Sequence, residues 1–302
     1  MNMGQLIHKF PDNYGKRELI ITCKNSYIKK EIAEMDDRYV QKINNLDVYT
    51  TGMQKSSKDK LFFMDKVDDV DVIVDFGCAD GTLIQEMYKI NPNIRYLGYD
   101  NSLDMIKRAR TFTLRSFGPD VNIGFLLPNE KIENYINNEQ NYLLNLSSVI
   151  HEVYSYSKPE EINVFWNQVL YNNFKYIAIR DFCVSKSINR IADINDYVKV
   201  IQCANEKYVE DYESIWGSIK ENRNLVHFLM KYRYKDNWNR EVRENYFPIT
   251  LEQLLSNIPT DKYEIIYFED YILPFIKNQI KEDFDIDLHD NTHVKLLLKR
   301  KD

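Results

Sequence analysis

The 302-residue sequence is poor in the features that mark several whole classes of protein. Its four cysteines, Cys23, Cys78, Cys183 and Cys203, lie far apart with no C-x-x-C pair. That spacing offers no zinc, iron-sulfur or dithiol redox motif, and they read as free thiols in a reducing compartment. No apolar run approaches the ~18 residues that cross a bilayer, and the opening MNMGQLIHKFPDNYGK has no core of signal-peptide length. A cytoplasmic protein with no membrane partner is expected. An excess of basic charge is also missing: 40 Lys and Arg against 46 Asp and Glu give a net charge of -6. This argues against a surface built wholesale to neutralise phosphates, leaving only a local basic groove. There is no internal repeat and no low-complexity tract.

Aromatic side chains are abundant, with 22 Tyr and 15 Phe against 9 Gly. They require a core, a partner or a flat ligand. Hydrophobic residues at 44% and charged ones at 28% are those of an ordinary folded protein, long enough for one large domain or two modest ones.

Residues 1 to 68 read as a mixed leader containing a helical stretch, KKEIAEMDDRYVQKI, and an apolar knot at Leu61, Phe62 and Met64. It is a candidate lid. From Val70 the pattern becomes strand (VDVIVDF), turn (GCADG), helix (TLIQEMYKI), strand (IRYLGYD) and helix (SLDMIKRAR). Alternation at this length predicts βαβ units and a parallel sheet. Leu83, Ile84, Met87 and Tyr88 form one helical face, and Ser102 is placed to cap the second helix, where Leu103, Ile106 and Ala109 recur every three residues. Further strands are expected at 121–126, 142–150 and 175–180, with FWNQVLYNNF helical between the last two. A polar, largely helical segment follows to about residue 261. PITLEQLLSNIP carries a capping-box spacing, Thr250 to Gln253. YEIIYF and HVKLLLK close the chain as strands.

The first turn decides which cofactor this chain would take. A P-loop, G-x-x-x-x-G-K-[ST], is absent. A dinucleotide fingerprint, G-x-G-x-x-G, fails because Ala79 and Thr82 stand where its second and third glycines belong. A nicotinamide enzyme is thereby disfavoured. DFGCADG, with Asp75, Gly77, Ala79 and Gly81, resembles the first motif of class I S-adenosylmethionine-dependent methyltransferases, [DE]-x-G-x-G-x-G, with alanine in place of the middle glycine. Asp100, 19 residues beyond Gly81, ends the second strand as the acidic residue of that family does. The resemblance spans about residues 70 to 185. It implies a Rossmann-like seven-stranded α/β sheet whose final strand is antiparallel, and S-adenosylmethionine as cofactor. It also implies that Asp100 holds the ribose hydroxyls, that Asn101 and Met105 flank the adenine, and that Asp75, Gly77, Cys78, Ala79, Gly81 and Ser147 complete the cofactor set. A carboxylate suits a vicinal diol, and a small-residue turn lets backbone approach the cofactor. The expected organisation is a leader (1–68), a cofactor-binding core (69–185), a helical insertion over the substrate (186–261) and terminal strands completing the sheet (262–302).

Methyl transfer is an in-line displacement in which the protein supplies proximity and orientation, with a base for weak nucleophiles. His151 and Glu152, in SSVIHEVYSY after the fourth strand, are candidates for base or acceptor contact, because imidazole titrates near neutrality. Equally, His151 only packs. Tyr154 and Tyr156 line an acceptor pocket or belong to the core. Arg180 and Asp181 follow the fifth strand. Arg180 is placed to clamp an anion and Asp181 to hold an amine or orient His151, or Asp181 caps a helix with Arg180 as its ion partner. Lys55 and Lys60 are candidates to reach the cofactor carboxylate or the acceptor. HDNTH, 289–293, has metal-like histidine spacing in a turn before a strand, where no metal is expected. No N-P-P-[YF] or Pro-Cys pair is present, which disfavours exocyclic base amines and the covalent cytosine route.

The expected activity is methylation of an O or N atom of a small or medium-sized acceptor. KYRYKDNWNREVRENY, 231–246, interleaves basic and aromatic residues and leaves an RNA or nucleotide acceptor as the alternative. A cofactor-binding partner protein without turnover is the second.

Overall fold

A computed structural model describes residues 57–128, 130, 132–136 and 139–301. Its strands are β1 (Val72–Phe76), β2 (Arg95–Tyr99), β3 (Ile123–Leu126), β4 (Tyr142–Ser147), β5 (Phe174–Phe182), β6 (Tyr263–Tyr271) and β7 (His293–Arg300). They form one mixed seven-stranded sheet in the order β3-β2-β1-β4-β5-β7-β6. The parallel pairing of β1, β2, β3 and β4 is what the alternation of strands and helices predicts, and the seven-stranded Rossmann-like α/β sheet with an antiparallel last strand is the one the resemblance implies. The chain divides into two compact units, Met1–Asn145 with Asn172–Tyr176, and Leu146–Tyr171 with Ile177–Asp302. Among the described residues no helix is long and apolar enough to cross a membrane.

In the first unit β1 pairs in parallel with β2, Val74 opposite Leu97, and with β4, Val74 opposite Leu144. Val72, Ile73 and Val74 are all buried, as a strand covered on both faces requires. The short α1 (Ser57–Lys60) precedes Phe63. The members of the apolar knot, Leu61, Phe62 and Met64, are half-buried, and the side chain that is fully buried there is Phe63, at 0% exposure, which the sequence reading left out. Helix α2 (Thr82–Ile90) buries Ile84 and Met87. Helix α3 (Leu103–Phe117) buries Ile106 and Ala109 and starts at Ser102, whose Oγ accepts the Met105 N–H at 3.3 Å. Close packing of α2 on β2 depends on Gly98. A Cβ there would lie 2.7 Å from Ile84 Cδ1 and from Phe125 Cδ1, and 2.8 Å from Cys78 Sγ.

The second unit contains α4 (Ile150–Tyr156), α5 (Pro159–Tyr171), α6 (Ile194–Cys203), α7 (Glu206–Trp216), α8 (Asn222–Tyr232), α9 (Trp238–Glu241), α10 (Leu251–Ser256) and α11 (Pro274–Phe284). Its core is rich in aromatics, among them Tyr212, Phe228, Trp238, Tyr246, Phe247 and Phe284, which accounts for much of the unusual composition. Strands β6 and β7 are antiparallel, with a register shift between Ile265 and Tyr267. The capping box is present at the start of α10, with Thr250 and Gln253 bonding reciprocally.

Two elements differ from the sequence expectation. β4 stops at Ser147 rather than continuing to Ile150, because Ser148 adopts φ 59°, which breaks an extended strand, and its N–H is taken by Arg180 O at 2.7 Å. Helix α11, between the last two strands, has no counterpart in the sequence reading. It begins with Pro274, whose fixed φ suits the first helical turn, and buries Ile276, Ile280 and Phe284 along one face.

Candidate functional site

The turn after β1 is wound through the left-handed region at Gly77 (φ 77°), Ala79 (φ 47°) and Gly81 (φ 75°). Glycine enters that region freely and alanine at a modest cost. The Gly77 and Cys78 N–H groups both donate to Tyr99 O, at 2.8 and 2.9 Å. Asp100 then ties the turn to the end of β2: its Oδ2 accepts the Ala79 N–H at 2.9 Å and its Oδ1 accepts the Ser102 N–H at 2.8 Å. Asp80 Oδ1 accepts from the N–H and Oγ1 of Thr82, steadying the start of α2.

Asp75 lies beneath this turn at 2% exposure, accepting a 2.7 Å hydrogen bond from Asn145 Nδ2. Burial pushes its pKa up to about 7, against the opposing effects of that bond and of the Lys60 charge. Lys60 itself is buried. Cys78 is buried too, Asn101 is exposed, and the Met105 side chain is packed inward. Lys55 lies outside the described residues.

In the second unit the residues around the ends of β4 and β5 are brought together. His151 Nδ1 lies 2.6 Å from Asp181 Oδ1, with both side chains almost wholly buried. Asp181 Oδ1 also accepts the Phe182 N–H at 2.7 Å. Its Oδ2 accepts the N–H of Ile150 at 2.6 Å and of His151 at 3.4 Å, so the same carboxylate caps the first turn of α4. Since a carboxylate only accepts, Nδ1 carries the proton and Nε2 presents its lone pair. Burial alone would lower the His151 pKa, but the Asp181 charge and hydrogen bond raise it above 6.5 overall, helped by Glu152 and Glu244.

Arg180 donates from Nη1 to Ser148 Oγ at 2.9 Å and from Nε to the Tyr271 hydroxyl at 3.2 Å. Tyr154 accepts from Trp166 Nε1, and Tyr156 donates to Glu244 Oε1. Ser147 is buried at the end of β4. Phe182 and Tyr246 stack at 4.2 Å and both meet the His151 ring edge-on. Phe182 is a member of this cluster that the sequence did not single out, whereas Arg240, Glu244 and Tyr246 belong to 231–246, which the sequence read only as a candidate nucleotide-binding stretch. Much of the basic and aromatic interleaving of 231–246 is taken up internally: Lys231, Tyr232, Trp238 and Tyr246 are buried and Arg240 pairs with Glu152 and Glu244, while Lys235 and Arg243 are exposed.

Residues 68–243 match a family described as a methyltransferase domain. The chain belongs to that family. Three solved structures resemble this methyltransferase. One is a magnesium protoporphyrin IX methyltransferase from Synechocystis PCC 6803 with bound SAH (11% identity, 92% of this chain and 96% of that one, TM-score 0.47). Another is the plantazolicin methyltransferase BpumL with SAH (13%, 91% and 100%, 0.44). The third is a geranyl diphosphate methyltransferase with GPP and sinefungin (11%, 82% and 78%, 0.45). No curated protein matches the sequence.

The cofactor of this methyltransferase is S-adenosylmethionine. The chemistry of the turn fits it. A carboxylate, Asp100, stands beside a tight turn of small residues, which is the acceptor chemistry a ribose diol needs and the low profile that permits close backbone approach.

Proposed function

We propose that this methyltransferase acts on an O or N atom of a small or medium-sized acceptor, with His151 taking the acceptor's proton. The observation that carries the reading is the 2.6 Å contact between His151 Nδ1 and the buried Asp181. A histidine fixed in one tautomer by a carboxylate is oriented to act as a base through Nε2. In this reading Asp181 is a positioning residue, and Arg180 holds Ser148 and Tyr271 rather than an anion. Glu152, Tyr154 and Tyr156 border the acceptor, within the unit that also contains the helices of 186–261.

S-adenosylmethionine supplies the methyl group as a sulfonium substituent. In the same proposal Asp100 accepts from the ribose hydroxyls, and the turn at Gly77, Cys78, Ala79 and Gly81 runs along the methionine portion. Asn101 and Met105 flank the adenine, and Asp75 supports the turn from below. The organisation proposed remains a core at 69–185, a helical insertion at 186–261 and closing strands at 262–302. A small acceptor is favoured over RNA because Lys231, Tyr232, Trp238, Arg240 and Tyr246 of that stretch are committed to internal contacts.

The test is thermal unfolding with S-adenosylmethionine, S-adenosylhomocysteine and NAD in parallel, on the parent chain and on Asp100→Ala, followed by transfer assays with labelled cofactor on His151→Ala. A ligand at a hundred times its dissociation constant adds about 2.7 kcal/mol, a shift of a few degrees. The two sulfur ligands should shift the parent and not Asp100→Ala. His151→Ala should keep the shift and lose transfer. Transfer at the parent rate by His151→Ala would remove the base.

A further inference from the structure

A second imidazole stands beside His151. Strand β7 lies between β5 and β6, and it begins with His293 at the carboxyl end of β5: Thr292 O accepts the Cys183 N–H at 3.0 Å, one residue past Phe182. Ligands of open α/β sheets gather at the carboxyl ends of the strands. The rings of His151 and His293 each lie 4.8 Å from that of Phe182, so one side chain borders both. His293 is 1% exposed, and burial together with the charges of Arg180, Arg233, His151 and Lys295 holds its pKa well below 6.5. The ring is neutral and carries one proton.

Thr292 fixes where that proton is. Its hydroxyl is buried and, among the described residues, has one hydrogen-bond partner, His293 Nδ1 at 2.9 Å. A hydroxyl that donates to Nδ1 is satisfied and leaves the ring proton on Nε2. The opposite tautomer would leave both the Thr292 proton and the Nε2 lone pair unpaired in a dry interior, which costs more. Nε2 of His293 is therefore an N–H donor, and among the described residues nothing accepts from it. His151 is the converse case: its Nδ1 proton goes to Asp181, and its Nε2 is a lone pair that no described residue meets. The two open nitrogens that border Phe182 have opposite senses, one accepting and one donating.

On the reading that His151 is the base, we propose that the methyl acceptor is a hydroxyl oxygen that donates to His151 Nε2 and accepts from His293 Nε2–H. A hydroxyl carries one proton and two lone pairs, so it satisfies both imidazoles and keeps a lone pair for the methyl group. A neutral amine has a single lone pair, and accepting from His293 would occupy the pair that must attack. An ammonium ion has none, and a carboxylate has no proton to give to neutral His151. Phe182, stacked on Tyr246, offers an apolar wall to the hydrocarbon part of the alcohol. The step balances: the hydroxyl proton passes to His151 Nε2, and an oxygen lone pair forms the O–C bond as the C–S bond breaks. The bonding pair stays on sulfur, and the imidazolium returns its proton to water. As negative charge gathers on the oxygen, the bond from His293 becomes charge-assisted and strengthens. The ether product has no proton left for His151 and keeps one of the two bonds.

Nitrogen NMR of the imidazoles tests the tautomer directly: neutral His293 should carry its proton on Nε2, and a proton on Nδ1 would overturn the proposal. The selectivity is read by calorimetric titration of the full chain, saturated with S-adenosylhomocysteine, with 2-phenylethanol, its methyl ether, 2-phenylethylammonium and phenylacetate. The alcohol should bind about tenfold more tightly than any of the other three. His293→Phe, which keeps a ring but no donor, should weaken the alcohol about tenfold, and His293→Gln, whose amide N–H can stand in for Nε2–H, should restore most of that loss. Unchanged S-adenosylhomocysteine affinity in both variants is the check on folding. The tautomer and the ligand series on the parent decide the question even where His293→Phe fails to fold. No binding of the alcohol, equal binding of any of the other three, or an indifferent His293→Phe would overturn the hydroxyl assignment and leave His151 as the base. Transfer at the parent rate by His151→Ala would instead remove the reading beneath it.

Discussion

The backbone N–H of Tyr246 donates to Nε2 of His227 across 3.2 Å, so that nitrogen is an acceptor and Nδ1, 2.9 Å from the Tyr212 hydroxyl, carries the proton. His227 is thus a neutral, fully bonded core histidine. His151 has the opposite surroundings.

Burial and the Lys231 and Arg223 charges hold the His227 pKa well below 6.5, whereas Asp181 keeps that of His151 above it. In a proton NMR titration of the imidazole signals, His151 should show a midpoint above 6.5 and His227 none near neutrality. A neutral midpoint for His227 would contradict the hydrogen-bond assignment.

Replacing Asp181 with Asn removes the charge that offsets burial, so the His151 midpoint should fall below 6.5. Because a base must be neutral to act, transfer by the parent should rise with pH through the raised midpoint, and the variant's profile should shift to lower pH. Its maximal rate should drop by about 10²–10⁴ through loss of the tautomer and orientation. Stability has its own sign: protonated His151 contributes most below pH 6.5, a contribution lost as pH rises through the folded midpoint.

Asp75, raised from 3.8 to about 7, binds its proton more tightly when folded. Its favourable contribution is therefore complete below about pH 4 and is lost as pH rises through about 7. Asp75→Asn should flatten the fall of the unfolding midpoint over that window and gain stability relative to the parent at about pH 8. Every tenfold difference in proton affinity between the folded and unfolded chain corresponds to roughly 1.4 kcal/mol. An unchanged pH dependence in the variant would show that Asp75 is ionised in the fold.

Gly98→Ala places a methyl within 2.8 Å of three side chains and should cost about 1–3 kcal/mol in chemical unfolding. At Ala79, in the left-handed region, glycine should be nearly neutral. Valine should destabilise by more than about 1 kcal/mol, since a β-branched side chain resists positive φ.

The strand, turn and helix of residues 72–90 are legible because local rules agree there: a buried β-branched run, small residues where φ turns positive, and apolar positions at helical spacing. Helix α11 carries a similar signal, Pro274 followed by Ile276, Ile280 and Phe284, but it lies in a charged stretch between two strong strands that masks it. Legibility is lower for the acceptor-side cluster. His151 and Asp181 are 30 residues apart, and only the folding of β4 and β5 brings them into contact. Lys231 and Arg240 illustrate the converse. Their composition suits a phosphate-binding face, and burial alone decides that they serve the interior.

The double use of Asp181 has a mechanical consequence. The carboxylate that fixes the His151 ring also ties down the first peptide groups of α4, so the ring cannot swing without loosening that turn. Fraying of one short helical turn would then disconnect the base while the sheet stays intact. Heat should silence methyl transfer below the temperature at which the protein as a whole unfolds.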